Sequence, residues 1–370
     1  MKINITKDDL LKGIQIAQNA VSNKNTLPIL AHLLLEAKKS GIYLTATDLE
    51  IGICIKVPGE IIEEGAITVP ARKFSEIVKE LPSQNPIYIA VKKSQSIHIE
   101  SGKSFFRLNG LLKDDFPQLP DLQSLNQKEV DVIKIPQKNL KNMIHLTSFA
   151  MSHDETRYVL NGILFTFKDK ILKLVATDGR RLAVVENEII GMNGFKKDVI
   201  FPMKTIQELN RNLTDDGEVT FYFKDNQLQI SLGVLNITSR LIEGEYPNYD
   251  QVIPKKTKEE LRLSTQDFLQ ATKRASILTN QDSQSVKINI IKDRMIITKN
   301  TPDLGEAREE IEVNYKGSEL TIGFNPTFLI DALKNIDDEN IQFGFIDPEK
   351  PVVIKSGENY TYIVLPMQVT

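Results

Sequence analysis

One cysteine, four histidines and no apolar run close to the roughly 18 residues of a membrane-crossing helix limit what this chain of 370 residues can be. Cys54 cannot close an internal disulfide, and within Ile51-Gly-Ile-Cys-Ile-Lys-Val it reads as a buried core thiol, not a nucleophile. His32, His98, His145 and His153 are scattered without metal-ligand spacing, and there is no phosphate-cradling glycine motif, nucleophile elbow or zinc-type cysteine pair. The best carboxylate pair for acid–base chemistry is Asp48 and Asp178, but a third repeat has Asn300 near the equivalent place. A turn tolerates that exchange better than a general base does. No catalytic residue, metal ligand or cofactor is therefore assigned. The N-terminal residues lack the apolar stretch and cleavage site of a secretory leader, so cytoplasmic residence is the expectation. A formal net charge of −3 excludes a uniformly basic nucleic-acid binder, so any such contact must be local.

What the chain has is a beat. A short helix with a basic exposed face, followed by strands alternating apolar and polar residues, recurs six times. The helical windows open at Lys7, Ala71, Gln137, Met203, Thr265 and Pro326, in steps of 64, 66, 66, 62 and 61 residues. Apolar residues at three- and four-residue spacing, as in Phe74, Ile77, Val78 and Leu81 or Leu140, Met143 and Ile144, give each helix one face for a sheet. Pairs of these units form a longer repeat, marked by Thr47-Asp48 against Thr177-Asp178, Pro70 against Pro202 and Pro326, and Pro117 against Pro247. Proline and charge interrupt the pattern at 116–127 and 252–260, which predicts three similar domains over 1–125, 126–253 and 254–370. Segments such as Pro86-Ile-Tyr-Ile-Ala-Val, Val219-Thr-Phe-Tyr-Phe and Ile341-Gln-Phe-Gly-Phe-Ile alternate as half-buried strands do. The fold class is α+β: each domain is two helix-plus-antiparallel-sheet half-repeats, with helices on one side of the sheets.

Charge is unevenly placed. The windows 7–21, 71–81, 137–151, 203–213, 265–278 and 326–336 hold twelve basic and seven acidic residues, a net of +5, so the rest of the chain sums to −8. A single helix of this kind is ordinarily a solvated face. Six on one surface would attract phosphates diffusely and without reading sequence, while an acidic remainder repels them.

Arg157-Tyr-Val-Leu-Asn-Gly-Ile-Leu-Phe, Val175-Ala-Thr-Asp-Gly-Arg-Arg-Leu-Ala-Val, Glu245-Tyr-Pro-Asn-Tyr-Asp-Gln-Val-Ile-Pro and Tyr362-Ile-Val-Leu-Pro-Met-Gln-Val-Thr, with Thr26-Leu-Pro-Ile-Leu and Val69-Pro-Ala-Arg-Lys-Phe, resemble the bacterial β sliding clamps along the whole chain. The resemblance implies a head-to-tail homodimer, a ring with helices inside and sheets outside, encircling double-stranded DNA without reading its sequence. It implies a processivity factor, without enzymatic activity, that tethers the replicative DNA polymerase catalytic subunit. The clamp loader and other replication and repair proteins carrying a short motif of glutamine, leucines and phenylalanine are the further partners implied; a membrane is not.

By the same resemblance the partner-peptide pocket is Leu160, Thr177, Gly179, Arg180, Arg181, Leu182, Pro247, Val252, Asn325, Phe328, Ile363, Val364, Leu365, Pro366 and Met367. The DNA-facing set is Lys12, Lys24, Arg72, Lys73, Lys79, Lys138, Lys141, Tyr158, Lys204, Arg211, Lys273 and Arg274. The dimer contact is Phe106 and Leu108 against Ile277 and Leu278, rimmed by Lys103 and by Glu306, Glu309 and Glu310. Residue type alone leaves those apolar side chains two places, this contact or the core of their own domain. The chain departs from the family pattern at Arg180, Phe328, Gln368, Ser283, Asp154 and Val159. Ring-shaped particles held on circular but not linear DNA separate this reading from a scaffold or an enzyme working in a cleft between domains.

Overall fold

The computed structural model describes residues 1–22, 27–92, 95–126, 128–190, 194–281 and 283–368. The described α-helices start where the periodicity places them: α1 Lys7–Ala17, α2 Ala71–Glu80, α3 Gln137–Thr147, α4 Met203–Asn212, α5 Thr265–Ser276 and α6 Pro326–Leu333. Two kinds of N-terminus recur. Thr6, Ser264 and Asn325 cap α1, α5 and α6, their side chains accepting from the backbone N–H of Asp9, Asp267 and Thr327. The other three helices follow Pro70, Pro136 and Pro202, each the last residue of a strand, where the proline ring fixes φ for the strand-to-helix corner.

The chain divides into two compact units, residues 1–137 with 207–241 and residues 138–206 with 242–370. Each unit is organised by an eight-stranded antiparallel sheet. In the first the order is Asp131–Pro136, Glu218–Lys224, Gln227–Leu232, Leu235–Arg240, Ile51–Val57, Gly41–Thr47, His32–Lys38, Gly65–Pro70. In the second it is Glu259–Ser264, Asn340–Phe345, Val352–Ser356, Tyr360–Val364, Arg181–Glu188, Ile171–Thr177, Gly162–Asp169, Phe195–Pro202. Both sheets thus join four strands of one repeat to four of the next, through the same seam: Leu235–Arg240 on Ile51–Val57, and Tyr360–Val364 on Arg181–Glu188.

Two half-sheets remain. The first unit also holds a five-stranded sheet ending at the edge strand Ser104–Asn109, and the second a four-stranded sheet ending at Gly305–Glu312. The cores lie between sheets and helices. In the first unit Leu10, Ile14, Phe74 and Val78 are buried with Leu33, Leu35, Leu44 and Ile53. In the second, Phe268, Phe324, Phe343 and Tyr362 are fully buried, each aromatic worth roughly 2 to 3 kcal/mol of transfer free energy.

Two expectations need adjustment. Alternation along Ile51–Val57 puts Ile51, Ile53 and Ile55 on the helix side, so Cys54 turns to the opposite face and is half-buried, not a core residue. Burial still pushes its thiol pKa up, against a hydrogen bond with Thr45 that lowers it. The second joint is longer than 252–260: the chain has no strand from Leu241 to Lys258, and Glu259 and Glu260 already belong to the next strand. Among the described residues no helix is long and apolar enough to cross a membrane, and no three His, Cys, Asp or Glu side chains are grouped to hold a metal ion.

Candidate functional site

Side chains of the second unit's sheet alternate between the α6 side and the opposite face. Tyr362 points to α6, its Oη donating to the Phe328 carbonyl at 2.8 Å. On the opposite face the cross-strand partners Ile200 and Leu164, Leu164 and Val175, Val175 and Val184, Leu182 and Ile363, and Ile363 and Val353 make an apolar row across six strands. A sheet face turned away from its helices is commonly polar, so such a row requires a cover. Val159, Ile242, Tyr246, Tyr249 and Ile253 pack against it and bury it. The Ile242 N–H donates to the Ile200 carbonyl at 3.0 Å, and Tyr246 Oη to the Val175 carbonyl at 3.4 Å. Burial raises the Tyr246 pKa, keeping the phenol a neutral donor. Around this cover Tyr158, Val252, Leu365 and Met367 stay exposed.

The hairpin Thr177-Asp178-Gly179-Arg180 borders the middle of the row, where it passes from Ile171–Thr177 to Arg181–Glu188. Asp178 Oδ1 accepts from the N–H of Arg180 and Arg181 at 2.9 and 3.0 Å, and the Gly179 N–H donates to Thr177 Oγ1 at 3.0 Å. Gly179 has φ +86°, a region open to glycine and strained for other residues. The C-terminal segment crosses to this hairpin: the Leu365 N–H donates to the Arg180 carbonyl at 3.0 Å and the Met367 N–H to the Gly323 carbonyl at 2.8 Å. Gly323 lies in the strand leading to Asn325, the α6 cap.

Arg181 fixes the hairpin to α6. Its Nε and Nη1 bind Asp178 and Asp331 at 3.0 and 2.9 Å, and Nη2 donates to the Phe149 carbonyl at 2.7 Å. The guanidinium lies 4.6 Å from the Phe328 ring centroid and 5.6 Å from that of Phe149. Burial opposes the charge, but Tyr362, Asp331 and Asp178 outweigh it, so the pKa is raised further. Removing this charge leaves two carboxylates without their shared partner. Arg181→Ala should lower stability by about 2 to 4 kcal/mol, less than a fully buried pair because Lys334 also holds Asp331. Urea unfolding followed by circular dichroism checks it; a midpoint within error of the wild type would remove Arg181 as the brace.

The expected pocket residues therefore gather in one unit, with distinct roles. Leu182 and Ile363 form the row; Thr177, Gly179, Arg180 and Arg181 form the hairpin; Leu160 is buried; and Pro247, Val252, Leu365 and Met367 are exposed at the border. Pro366 and Phe328 are half-buried. Val364 differs: it is fully buried on the α6 side, because alternation turns it away from Ile363. Sequence reasoning missed Phe149, Asp331, Tyr246 and Tyr249. The tyrosines, spaced by three within the Glu245–Pro254 motif, were a visible signal for an apolar cover; Asp331 was not, being 150 residues from Arg181.

Two other surfaces bear on the expected residues. On the edge strand Ser104–Asn109, Phe105 is 56% and Phe106 38% exposed, Leu108 is half-buried, and Lys103 is exposed just before it. In the second unit Ile277 is 75% exposed after α5, Leu278 is half-buried, and Leu304 precedes the edge strand Gly305–Glu312. Glu309 is held by Arg274 and Glu310 by Arg308, so part of the rim charge is satisfied within the chain. A hydrogen bond to Arg274 holds the Glu309 carboxyl below its ordinary pKa. Of the basic set, Lys12, Lys79, Lys138, Lys204 and Lys273 are exposed on their helices and Lys141 is half-buried. Arg72 and Lys73 share Glu76, and Arg211 binds Glu208. Lys24 lies outside the described residues.

Comparisons with known proteins agree along the whole chain. Models of the DNA polymerase III beta subunit match in order: the N-terminal domain at residues 1–120, the central domain at 134–248 and the C-terminal domain at 250–368. The beta sliding clamp of Escherichia coli is 36% identical over 372 residues, covering 100% of both chains. That of Chlamydia muridarum is 33% identical over 368 residues, covering 100% of this chain and 99% of the relative. Among solved structures, the DNA polymerase sliding clamp of Bacillus subtilis superposes with a TM-score of 0.94 at 32% identity, and the Pseudomonas aeruginosa sliding clamp bound to griselimycin with 0.93 at 34%, each covering 100% of both chains.

Proposed function

The chain belongs to the family of DNA polymerase III beta subunits, the β sliding clamps, and from that premise we propose that it works as a non-catalytic DNA sliding clamp. In this reading two copies, each of three repeats over 1–125, 126–253 and 254–370, close a ring around duplex DNA in the cytoplasm. The replicative polymerase, the clamp loader and other replication and repair proteins dock by a short peptide in the trough over the Leu182–Ile363 row.

The observation that carries the reading is the seam made twice within the chain, with two half-sheets left over. Ser104–Asn109 ends its half-sheet as Leu235–Arg240 and Tyr360–Val364 end theirs, and Gly305–Glu312 corresponds to Ile51–Val57 and Arg181–Glu188. Edge strands with unpaired backbone groups and exposed aromatics are templates for pairing. A third and a fourth seam between two copies would leave neither edge open. Carrying the seam register over sets Phe106 of one copy opposite Ala307 of the other and Arg107 opposite Glu306. Basic helices then supply weak, sequence-independent phosphate attraction, and closure supplies retention.

The test is retention on DNA. Wild-type protein loaded on nicked circular DNA should stay bound and be lost when the circle is cut. With Lys73, Lys141 and Lys204 changed to Glu, release from the intact circle should be faster, and log affinity should depend less steeply on log salt, by about 3. Retention that is unaltered by cutting the circle would contradict encirclement; retention that is unaltered by the three reversals would remove the helices from the DNA surface.

A further inference from the structure

The seam in the first unit is built like the one that carries the peptide trough. Thr47 and Asp48 make the hydrogen bonds of Thr177 and Asp178: Asp48 Oδ1 accepts from the N–H of Glu50 and Ile51 at 3.0 and 2.9 Å, and Thr47 Oγ1 from that of Leu49 at 3.0 Å. Position by position, the apolar row becomes Thr68, Leu34, Thr45 and Cys54, then Gly52, Thr238 and Gln229. Gly52 and Thr238 stand where Leu182 and Ile363 meet. The space is taken by the chain itself: a Cβ on Gly52 would sit 2.4 Å from Leu119 Cδ2 and 2.5 Å from Thr238 Oγ1. Leu119 belongs to Phe116-Pro-Gln-Leu-Pro-Asp-Leu122, a segment carrying glutamine and two leucines. Phe116 and Leu122 are buried, and Gln229 Oε1 accepts from the Leu122 and Gln123 N–H at 2.6 and 3.3 Å. On either side of it open grooves of ≈ 590 and ≈ 400 Å³, both lined by Pro117, Gln118, Leu119 and Pro120. Leu49 borders the smaller groove, 52% exposed and at φ +76°, the conformation Gly179 has in the other hairpin.

We propose that the first seam is a second peptide trough of the same construction, occupied by the chain's own residues 116–122 as a built-in ligand, and that withdrawing Leu119 opens it to an external peptide carrying glutamine and leucine. The proposal rests on the reading that the second seam takes a partner peptide.

Cys54 lines the larger groove and is the sole cysteine, so its alkylation reports on this seam alone. The experiment compares the wild-type dimer with Leu119→Ala, using as probe a synthetic peptide of residues 116–125. Alkylation of Cys54 should be about fivefold faster in the variant, and saturating peptide should return it to the wild-type rate. No acceleration, or acceleration that the peptide does not reverse, overturns the proposal. Repeating the protection with Leu365→Asp and Met367→Asp added separates the two seams. Protection of Cys54 that persists there belongs to the first seam whether or not the second binds peptide, and protection that disappears overturns the proposal. Should Leu119→Ala fail to fold, Leu119→Val is read by the same rates.

Discussion

Phe106→Asp is expected to leave the chain folded and monomeric. Phe106 is 38% exposed on an edge strand, so the charge costs little within one copy. Between copies the same position would be covered by the Gly305–Glu312 strand and its glutamates, where an unpaired carboxylate costs roughly 3 kcal/mol. A two-membered head-to-tail ring contains this contact twice, so the penalty is about 6 kcal/mol and the dimer dissociation constant rises on the order of ten-thousandfold. Sedimentation velocity with circular dichroism checks both parts. A folded protein that still sediments as a dimer would exclude this edge from the contact and with it the proposed third seam.

That contact could not be settled from residue type, and the reason is general to sheets. Phe105 and Phe106 are neighbours, so alternation puts them on opposite faces, and only the strand's position at the end of its sheet leaves both exposed. The helices were legible because two independent signals coincide at each start: apolar residues at three- and four-residue spacing, and either a capping Thr, Ser or Asn or a proline ending the previous strand. The hairpin at Thr177 was legible through its own side chains. Its attachment was not, because Asp331 and Phe149 approach Arg181 only after sheet and helix have packed. Runs such as Ile51-Gly-Ile-Cys-Ile and Ile363-Val-Leu are apolar or small on both faces, so the sequence does not tell which face Cys54 or Val364 takes. Nor does a single seam explain its own glycine: Gly52 is crowded by Leu119, 67 positions later, and by Thr238 across the seam.

The trough itself is best tested at its border. Ile363 and Leu182 are each 2% exposed, so changing them would mix lost folding with lost binding. Leu365 and Met367, 37% and 38% exposed, attach to the body through backbone N–H groups that a side-chain change leaves in place. The double variant Leu365→Asp with Met367→Asp should therefore melt as the wild type does, within about 0.5 kcal/mol of stability. An apolar anchor of the partner peptide would instead meet two carboxylates at the rim. Losing two anchor contacts of roughly 1.5 to 2 kcal/mol each predicts at least about a hundredfold weaker peptide binding. Fluorescence anisotropy with a labelled peptide from the polymerase catalytic subunit measures it, and the same variant should lose polymerase tethering while staying on circular DNA. Peptide affinity within a few-fold of the wild type would move the docking site off the 365–367 segment, leaving the Arg181 brace a purely structural device. Tethering lost together with DNA retention would mean instead that the border residues hold the ring closed.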